Sequence, residues 1–288
     1  MIIDCHAHTS NHKLWGLHTD SATIEDLERL AEKFGICKIV LMATYFPFKK
    51  TGLTNQELLA RIAGNGLFCM FGSLDIMNNF QAGLRELEAL AEKKLIAGIK
   101  LYPGYQNFKA SDEKVFLIYE LAQRFGLPVM FHTGELHHCC SREKREKGDL
   151  KCNNDFCWLD RLQHLSHPEQ MRKAAQSFPD VTFVLSHLAN PYFKDLRQLM
   201  AECENVHTDM SGQFLSDTEE DNPDYRQLLK REIIKFLQLP QGIDRLMFGT
   251  DFPIQSYQDS VDLIKMLGLS EEEKGKIFYK NAQKLLGL

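Results

Sequence analysis

The chain has 288 residues and a mass of 33.2 kDa; 44% of the residues are hydrophobic and 25% are charged. These fractions are typical of globular proteins, and they exclude long disorder and collagen-like repeats. The net charge is −5 and no basic run is present, which argues against a nucleic-acid partner. No stretch approaches the ~18 apolar residues of a membrane span.

Apolar, partly β-branched runs alternate with segments of helical spacing along almost the whole chain. Eight such runs predict strands: Ile2–Cys5, Cys37–Ala43, Phe68–Leu74, Ile96–Leu101, Pro128–His132, Thr182–Ser186, Val206–Met210 and Arg245–Gly249. Nine segments predict helices: Thr23–Phe34, Asn55–Ala63, Phe80–Lys93, Asp112–Phe125, Pro168–Phe178, Tyr192–Glu202, Asp224–Leu237, Ser256–Leu267 and Glu271–Leu286. Eight strand–helix units favour an α/β fold of the (β/α)₈ TIM-barrel type, closed by a C-terminal helix.

The chain shows no boundary between domains, so residues 1–288 are predicted to form a single domain. It has neither a Gly-x-Gly-x-x-Gly after the first strand nor a P-loop, which argues against a nucleotide-binding sheet. The long connection Thr133–His167, after strand five, is expected to act as a lid or binding element above the barrel. No secretory signal opens the chain, so we expect a cytoplasmic protein whose eight cysteines are reduced thiols or metal ligands.

Residues of metal-ligand type stand at the predicted carboxyl ends of four strands. His6 and His8 end strand one, His132 ends strand five, His187 ends strand six and Asp251 ends strand eight. In a (β/α)₈ barrel these ends converge on one rim, where active sites are found. Imidazole and carboxylate groups suit zinc or a similar divalent ion, which lowers the pKa of a bound water.

Several motifs around these residues are similar to those of the amidohydrolase superfamily. They are Ile-Asp-Cys-His6-Ala-His8, Gly98-Ile-Lys100-Leu-Tyr-Pro103, the run from Phe178 to His187, Phe248-Gly-Thr-Asp251-Phe-Pro253 and the run Asn281-Ala-Gln-Lys-Leu-Leu. The chain most resembles the amidohydrolase-related (amidohydrolase-2) branch of metal-dependent barrel hydrolases, which also contains aminocarboxymuconate-semialdehyde decarboxylase.

The resemblance implies a role for each rim residue. His6, His8, His132 and Asp251 would bind one divalent metal ion, most simply zinc. His187 would act as acid or base beside the metal-bound water, or bind a second ion. Asp251 would be catalytic together with His187, because a carboxylate beside such a water can take its proton and pass it to a leaving group.

Lys100 ends the predicted fourth strand, and three roles are possible for it. It could be a carboxylated lysine that bridges two metals, a contact for a substrate anion, or a partner of a rim acid. The expectation is one metal and an unmodified Lys100 that binds substrate. Tyr102 and Tyr105 follow on the same loop and either line the substrate pocket or serve packing.

Half of the cysteines lie in the connection after strand five, at Cys139, Cys140, Cys152 and Cys157. A second, structural metal there would hold a charged lid in place. However, the spacing is not that of standard zinc knuckles, and reduced thiols are the alternative.

The sequence therefore predicts a metal-dependent hydrolase in which a metal-bound hydroxide attacks an amide, lactone or ester of a small molecule. The alternative is non-oxidative decarboxylation of an unsaturated or aromatic carboxylic acid, for which Lys100 would supply the cation beside the departing carboxylate. A non-catalytic metal-binding scaffold is the third reading. A homodimer is an open alternative to the monomer.

Overall fold

The computed structural model describes residues 1–10, 22–45, 53–136, 161–214 and 222–288. Its eight strands are β1 (Ile2–Ala7), β2 (Ile36–Met42), β3 (Phe68–Gly72), β4 (Gly98–Leu101), β5 (Val129–Phe131), β6 (Phe183–Leu185), β7 (Val206–Asp209) and β8 (Leu246–Met247). The α-helices within the described ranges are α1 (Ile24–Phe34), α2 (Asn55–Ile62), α3 (Phe80–Glu92), α4 (Glu113–Phe125), α5 (Arg172–Ser177), α6 (Phe193–Glu202), α7 (Pro223–Leu237), α8 (Tyr257–Lys265), α9 (Glu271–Gly275) and α10 (Asn281–Leu286). No helix of these ranges is long and apolar enough to cross a membrane.

The strands form one parallel sheet in the order β1 to β8. The segment after β8 lies beside β1 and closes the barrel. The amide of His8 donates a hydrogen bond to the carbonyl of Phe252 over 2.7 Å. The buried carboxylate of Asp4 strengthens this closure. Its Oδ1 accepts from the amides of His6 and Thr250, each at 3.1 Å. The predicted (β/α)₈ fold is confirmed.

Successive side chains along each strand point alternately to the outer helices and to the barrel interior, which separates two apolar cores. On β2, Ile39 and Leu41 face the helices, whereas Val40 and Met42 face the barrel interior. The inner core consists of buried side chains from six strands and the C-terminal helix: Ile3, Cys5, Val40, Met42, Phe71, Met130, Val184, Met247 and Ala282. Because Ala282 belongs to α10, this helix covers the base of the barrel, opposite the carboxyl ends of the strands.

A β-bulge in β1 changes which side chains point inward. Asp4 pairs with Ile39 and Ala7 with Leu41, so three steps on β1 match two on β2. Ile3 and Cys5 therefore belong to the inner core, while His6 and His8, of the other parity, both reach the barrel mouth. The bulge places the apolar base and the histidine pair on one short strand.

The predicted helix boundaries are confirmed most closely where capping signals are strong. α1 begins after Thr23, whose side chain forms a capping box with Asp26, and ends before the capping residue Gly35, which has φ +68°. The predicted helix at Pro168–Phe178 instead starts as a 3₁₀ turn, Pro168–Met171, before α5. The predicted closing helix, from Glu271 to Leu286, contains a π-helical turn, Lys276–Lys280, between α9 and α10.

Candidate metal centre and active site

The five predicted rim residues meet at the barrel mouth. His6 Nε2 lies 3.4 Å and His8 Nε2 3.1 Å from Asp251 Oδ1, so these three side chains form one candidate cation site. His187 Nε2 lies 4.0 Å from Asp251 Oδ2. His132 adjoins this group through His187, with 3.3 Å between His132 Nδ1 and His187 Nε2.

The backbone around the site adopts unusual conformations that the surrounding side chains hold in place. His187, Leu188 and Ala189 have φ values of +65°, +53° and +50°, and Asp251 has φ +55°. Residues without glycine's freedom adopt this region at a cost of roughly 1–3 kcal/mol each. Gln213 fixes the turn, because its side-chain amide donates to the carbonyl of His187 over 2.9 Å.

Three of the four histidine rings have one nitrogen engaged outside the site. His6 Nδ1 lies 3.0 Å from the carboxylate of Asp209. His187 Nδ1 lies 2.9 Å from Ser211 Oγ, and His132 Nε2 lies 3.3 Å from the carbonyl of Glu135. Since these outer oxygens accept the ring protons, the lone pairs of His6 Nε2, His187 Nε2 and His132 Nδ1 face the mouth.

This arrangement fits a divalent metal ion. Burial lowers the pKa of His6 to about 4, with a further contribution from the Lys100 cation. Burial also lowers the pKa of His187, and it lowers that of His132 well below its usual value. The rings of His6, His187 and His132 are thus neutral at pH 7, the state in which imidazole binds metals. Their converging lone pairs repel one another until a cation lies among them.

The two carboxylates of the site stay ionised. Burial by itself would raise the pKa of Asp251, but His6, His187 and His8 outweigh it and hold this pKa well below its usual value. The same balance, chiefly between burial and His6, lowers the pKa of Asp209. An ionised Asp251 can bind a cation or accept a proton.

Lys100 is buried beneath the surface of the barrel mouth. Its side chain is fully buried, and Nζ donates to Ser186 Oγ over 2.8 Å and lies 3.3 Å from His6 Nε2. Burial lowers its pKa to about 8, an effect that Asp209 and Asp251 partly offset. The ammonium group therefore lies in the same layer as the histidine rings, and its contact with substrate stays a prediction.

Tyr102 and Tyr105 are both buried next to this layer. The Tyr102 hydroxyl donates to the carbonyl of Ala43 over 2.8 Å. The Tyr105 ring packs edge-on against His132, with 4.8 Å between centroids. Their role as pocket residues stays a prediction. Residues 137–160 of the predicted lid lie outside the described residues. The predicted second metal site is in this segment, at Cys139, Cys140, Cys152 and Cys157.

The sequence analysis missed two residues beside the site. Asp209 is the last residue of β7, and Ser211 lies in the loop that follows it. The carboxylate of Asp209 joins His6 with the backbone of the His187 turn. The signal was available, since an aspartate at the carboxyl end of the seventh strand has the same placement as Asp251 in the eighth. Position alone, however, does not reveal that its partner is a histidine 203 residues away.

A parallel (β/α)₈ barrel with histidines and aspartates at its mouth defines a class of metal-dependent barrel enzymes. The family described as amidohydrolase matches residues 3–288 of the chain. The chain belongs to this family.

Curated and solved proteins give more distant likenesses. The uncharacterized protein y4mH of Sinorhizobium fredii is 27% identical over 128 residues, which cover 40% of this chain and 41% of that protein. A probable 2-pyrone-4,6-dicarboxylic acid hydrolase from Acinetobacter baumannii, with citric acid bound, superposes with a TM-score of 0.68 at 16% identity, covering 100% of this chain and 99% of that one.

A dihydroxybenzoic acid decarboxylase from Polaromonas sp. JS666 is similar to the same extent. Its structure, with bound manganese and the inhibitor 2-nitroresorcinol, gives a TM-score of 0.69 at 17% identity, covering 100% of this chain and 97% of that one. Identities this low establish the shared fold alone. Hydrolases and decarboxylases both occur among these neighbours.

Proposed function

We propose that this protein is a metal-dependent hydrolase that cleaves an amide, lactone or ester bond of a small molecule. The observation that carries the proposal is the convergence of unprotonated imidazole nitrogens and the Asp251 carboxylate on one point of the mouth. His6, His8, His132 and Asp251 would hold one divalent ion. Their nitrogen and oxygen donors favour zinc, although manganese, as in the decarboxylase neighbour, also suits such ligands.

When bound, the ion supplies a Lewis acid and activates water. The chain's own groups then handle the protons. Asp251 Oδ2 accepts a proton from the attacking water as a carbon–oxygen bond forms at the carbonyl. His187 Nε2, which carries a lone pair, lies 4.0 Å from Asp251 Oδ2; it would take the proton from Asp251 and deliver it to the leaving group as the bond between that group and carbon breaks.

Three residues are assigned to substrate binding in this proposal. Lys100 provides the positive charge beneath the mouth, and a substrate with a carboxylate would be drawn towards it. Tyr102 faces this cation, with 5.5 Å between its ring centroid and Nζ. Tyr105 orients the His132 ring from the side, so these aromatic walls favour a flat, anionic small molecule over a polymer.

Decarboxylation is the second candidate, because Lys100 is a buried cation close to the proposed metal ligands. In that reaction the carbon–carbon bond to the carboxylate breaks, carbon dioxide leaves, and a proton is added to the carbon. A water molecule at the mouth would supply that proton, and His187 Nε2, which carries a lone pair, would accept it and pass it to the carbon. The decarboxylase neighbour from Polaromonas supports keeping this candidate.

We also propose a cytosolic, single-domain enzyme. Four described cysteines are free thiols, namely Cys5, Cys37, Cys69 and Cys203, a state that reducing compartments maintain. A homodimer is the alternative to a monomer, and the mass in solution decides between them.

The test separates the two reactions by the fate of water. Protein loaded with zinc or with manganese is incubated with lactones, esters and amides, and separately with aromatic and unsaturated carboxylic acids. Hydrolysis in ¹⁸O-labelled water places one label in the product, whereas decarboxylation in heavy water places one deuteron on carbon. Activity that persists after complete removal of metal by a chelator would contradict both candidates, as would no turnover of either panel.

A further inference from the structure

We infer that Asp209 is a positioning residue that fixes the tautomer of His6 and, together with Ser211, supports that of His187, so that both rings present Nε2 to the metal site. This inference rests on the proposed metal centre. Asp209 lies at the end of β7, is fully buried and is not among the proposed metal ligands.

The carboxylate of Asp209 connects β7 with β1 and with the turn that follows β6. Its Oδ2 lies 3.0 Å from His6 Nδ1 on β1. Its Oδ1 accepts from the backbone amides of His187 and Ser211, each at 3.0 Å, and from the Ser211 hydroxyl. Both oxygens are therefore already occupied as acceptors by groups of the chain.

An ionised carboxylate can only accept hydrogen bonds, which decides where the His6 proton lies. His6 Nδ1 must carry the proton that faces Asp209, and Nε2 is left with its lone pair. Because Nε2 is the atom that faces Asp251, this tautomer is the one that can bind a cation in the mouth. A carboxylate that orients a metal-binding histidine in this way also raises the basicity of the ligand.

Ser211 extends the same effect to His187. Its hydroxyl proton is directed to Asp209, so its oxygen accepts from His187 Nδ1 at 2.9 Å. The backbone carbonyl of Ser211, 3.2 Å from the same nitrogen, is a second acceptor there. His187 therefore carries its proton on Nδ1 and presents Nε2 to His132 and Asp251. Asp209 thus sets the tautomer of a proposed metal ligand directly, and it shares with the Ser211 carbonyl the orientation of the proposed acid or base.

Direct metal binding by Asp209 is the alternative, since His6, His187 and Asp209 lie close enough to hold an ion. That arrangement would require His6 Nδ1 to lose its proton and the carboxylate to give up accepted hydrogen bonds. The occupied oxygens favour the positioning role, and the number of ions bound distinguishes the two.

The test is Asp209→Asn. The amide oxygen can keep the two backbone hydrogen bonds to His187 and Ser211, which preserves the turn. The amide nitrogen then faces His6 Nδ1, and as a donor it drives the His6 proton to Nε2. We expect ¹⁵N chemical shifts of the metal-free protein to show this tautomer change, and zinc affinity in chelator competition to fall about 10–100-fold.

Asp259→Asn is the matched control. This carboxylate, on α8, accepts from Arg226 over 2.9 Å and contacts none of the site residues named above. The control should lower thermal stability slightly and leave both the His6 tautomer and zinc affinity unchanged.

An unchanged His6 tautomer in Asp209→Asn would overturn the inference, whether or not the protein binds metal. Two zinc ions in the wild type and one in Asp209→Asn would also overturn it, in favour of direct binding. A wild type that binds no zinc or manganese would refute the proposed function. In that case the tautomer comparison of the metal-free proteins still decides the role of Asp209.

Discussion

The apolar inner core and the mouth of the barrel are built from opposite materials. In the inner core, called the base below, Met130, Val184 and Met247 belong to one apolar cluster with Ala282 of the C-terminal helix α10. At the mouth, Lys100 and Asp209 are fully buried charges. Apolar burial at the base stabilises the fold, at roughly 25 cal/mol per Å², whereas burying charges at the mouth costs free energy even when they are paired.

The difference also extends to the backbone. The base consists of regular strand residues, while the mouth contains the left-handed turn at His187, Leu188 and Ala189. Such strain persists only when neighbours hold it, as Gln213 and Asp209 do here. We therefore expect substitutions at the mouth to change metal binding and turnover, and substitutions at the base to change stability.

The largest effect is expected for Asp251→Asn. The amide keeps the shape of the side chain but cannot accept a proton, and proton transfer is typically worth ~10²–10⁴-fold in rate. The kcat on a substrate identified by the labelled-water assay should fall by that factor, while KM and the unfolding transition change little. An unchanged kcat would refute the proposed proton transfer.

Metal binding gives the second prediction. His6→Ala or His8→Ala removes an imidazole from the group around Asp251, so bound zinc should fall well below one equivalent by elemental analysis. The fold should persist, because Ile3 and Cys5 still anchor β1 in the inner core. His164→Ala, at an exposed site, is the control; full occupancy in either mouth variant would refute the site assignment.

Met130→Ala tests the base. Removing a fully buried methionine leaves a cavity in the inner core, and the free energy of unfolding should fall by about 2–5 kcal/mol. Zinc affinity should stay within about two-fold of the wild type, a tolerance set by the ordinary spread of mutational effects. Loss of zinc in a folded Met130→Ala protein would show that base and mouth are coupled rather than separate.

The smallest effect concerns acid sensitivity at His207 on β7. Burial, together with Arg245 and Lys284, lowers the pKa of His207 to about 4. The unfolded chain gains the proton first as pH falls below ~6.5, so stability should decrease between about pH 6.5 and pH 4, by at most about 3 kcal/mol.

His207→Gln should reduce that decrease in urea titrations across this pH range. His164→Gln, at an exposed position, should leave it unchanged. An equal pH dependence in His207→Gln and wild type would assign the acid sensitivity to other groups, and the mouth would then be the region to examine.

The sequence predicted the alternation of strands and helices, the capping box of Thr23 and the histidines at the carboxyl ends of β1, β5 and β6. They are local signals, because a strand pattern, a cap or a residue at a strand end is written in consecutive positions. The fold class and the position of the candidate site followed from them. The family match over residues 3–288 agrees with the resemblance in the motifs.

Other features depend on residues that are distant in sequence and adjacent in space. The bulge that turns His6 into the mouth depends on the register between β1 and β2. The pairing of Asp209 with His6, and the depth of Lys100 beside it, arise only when the barrel closes. Tautomers, burial and pKa values are set by such three-dimensional neighbours, which is why the sequence determined the ligand types and only the tertiary structure decided how they are held.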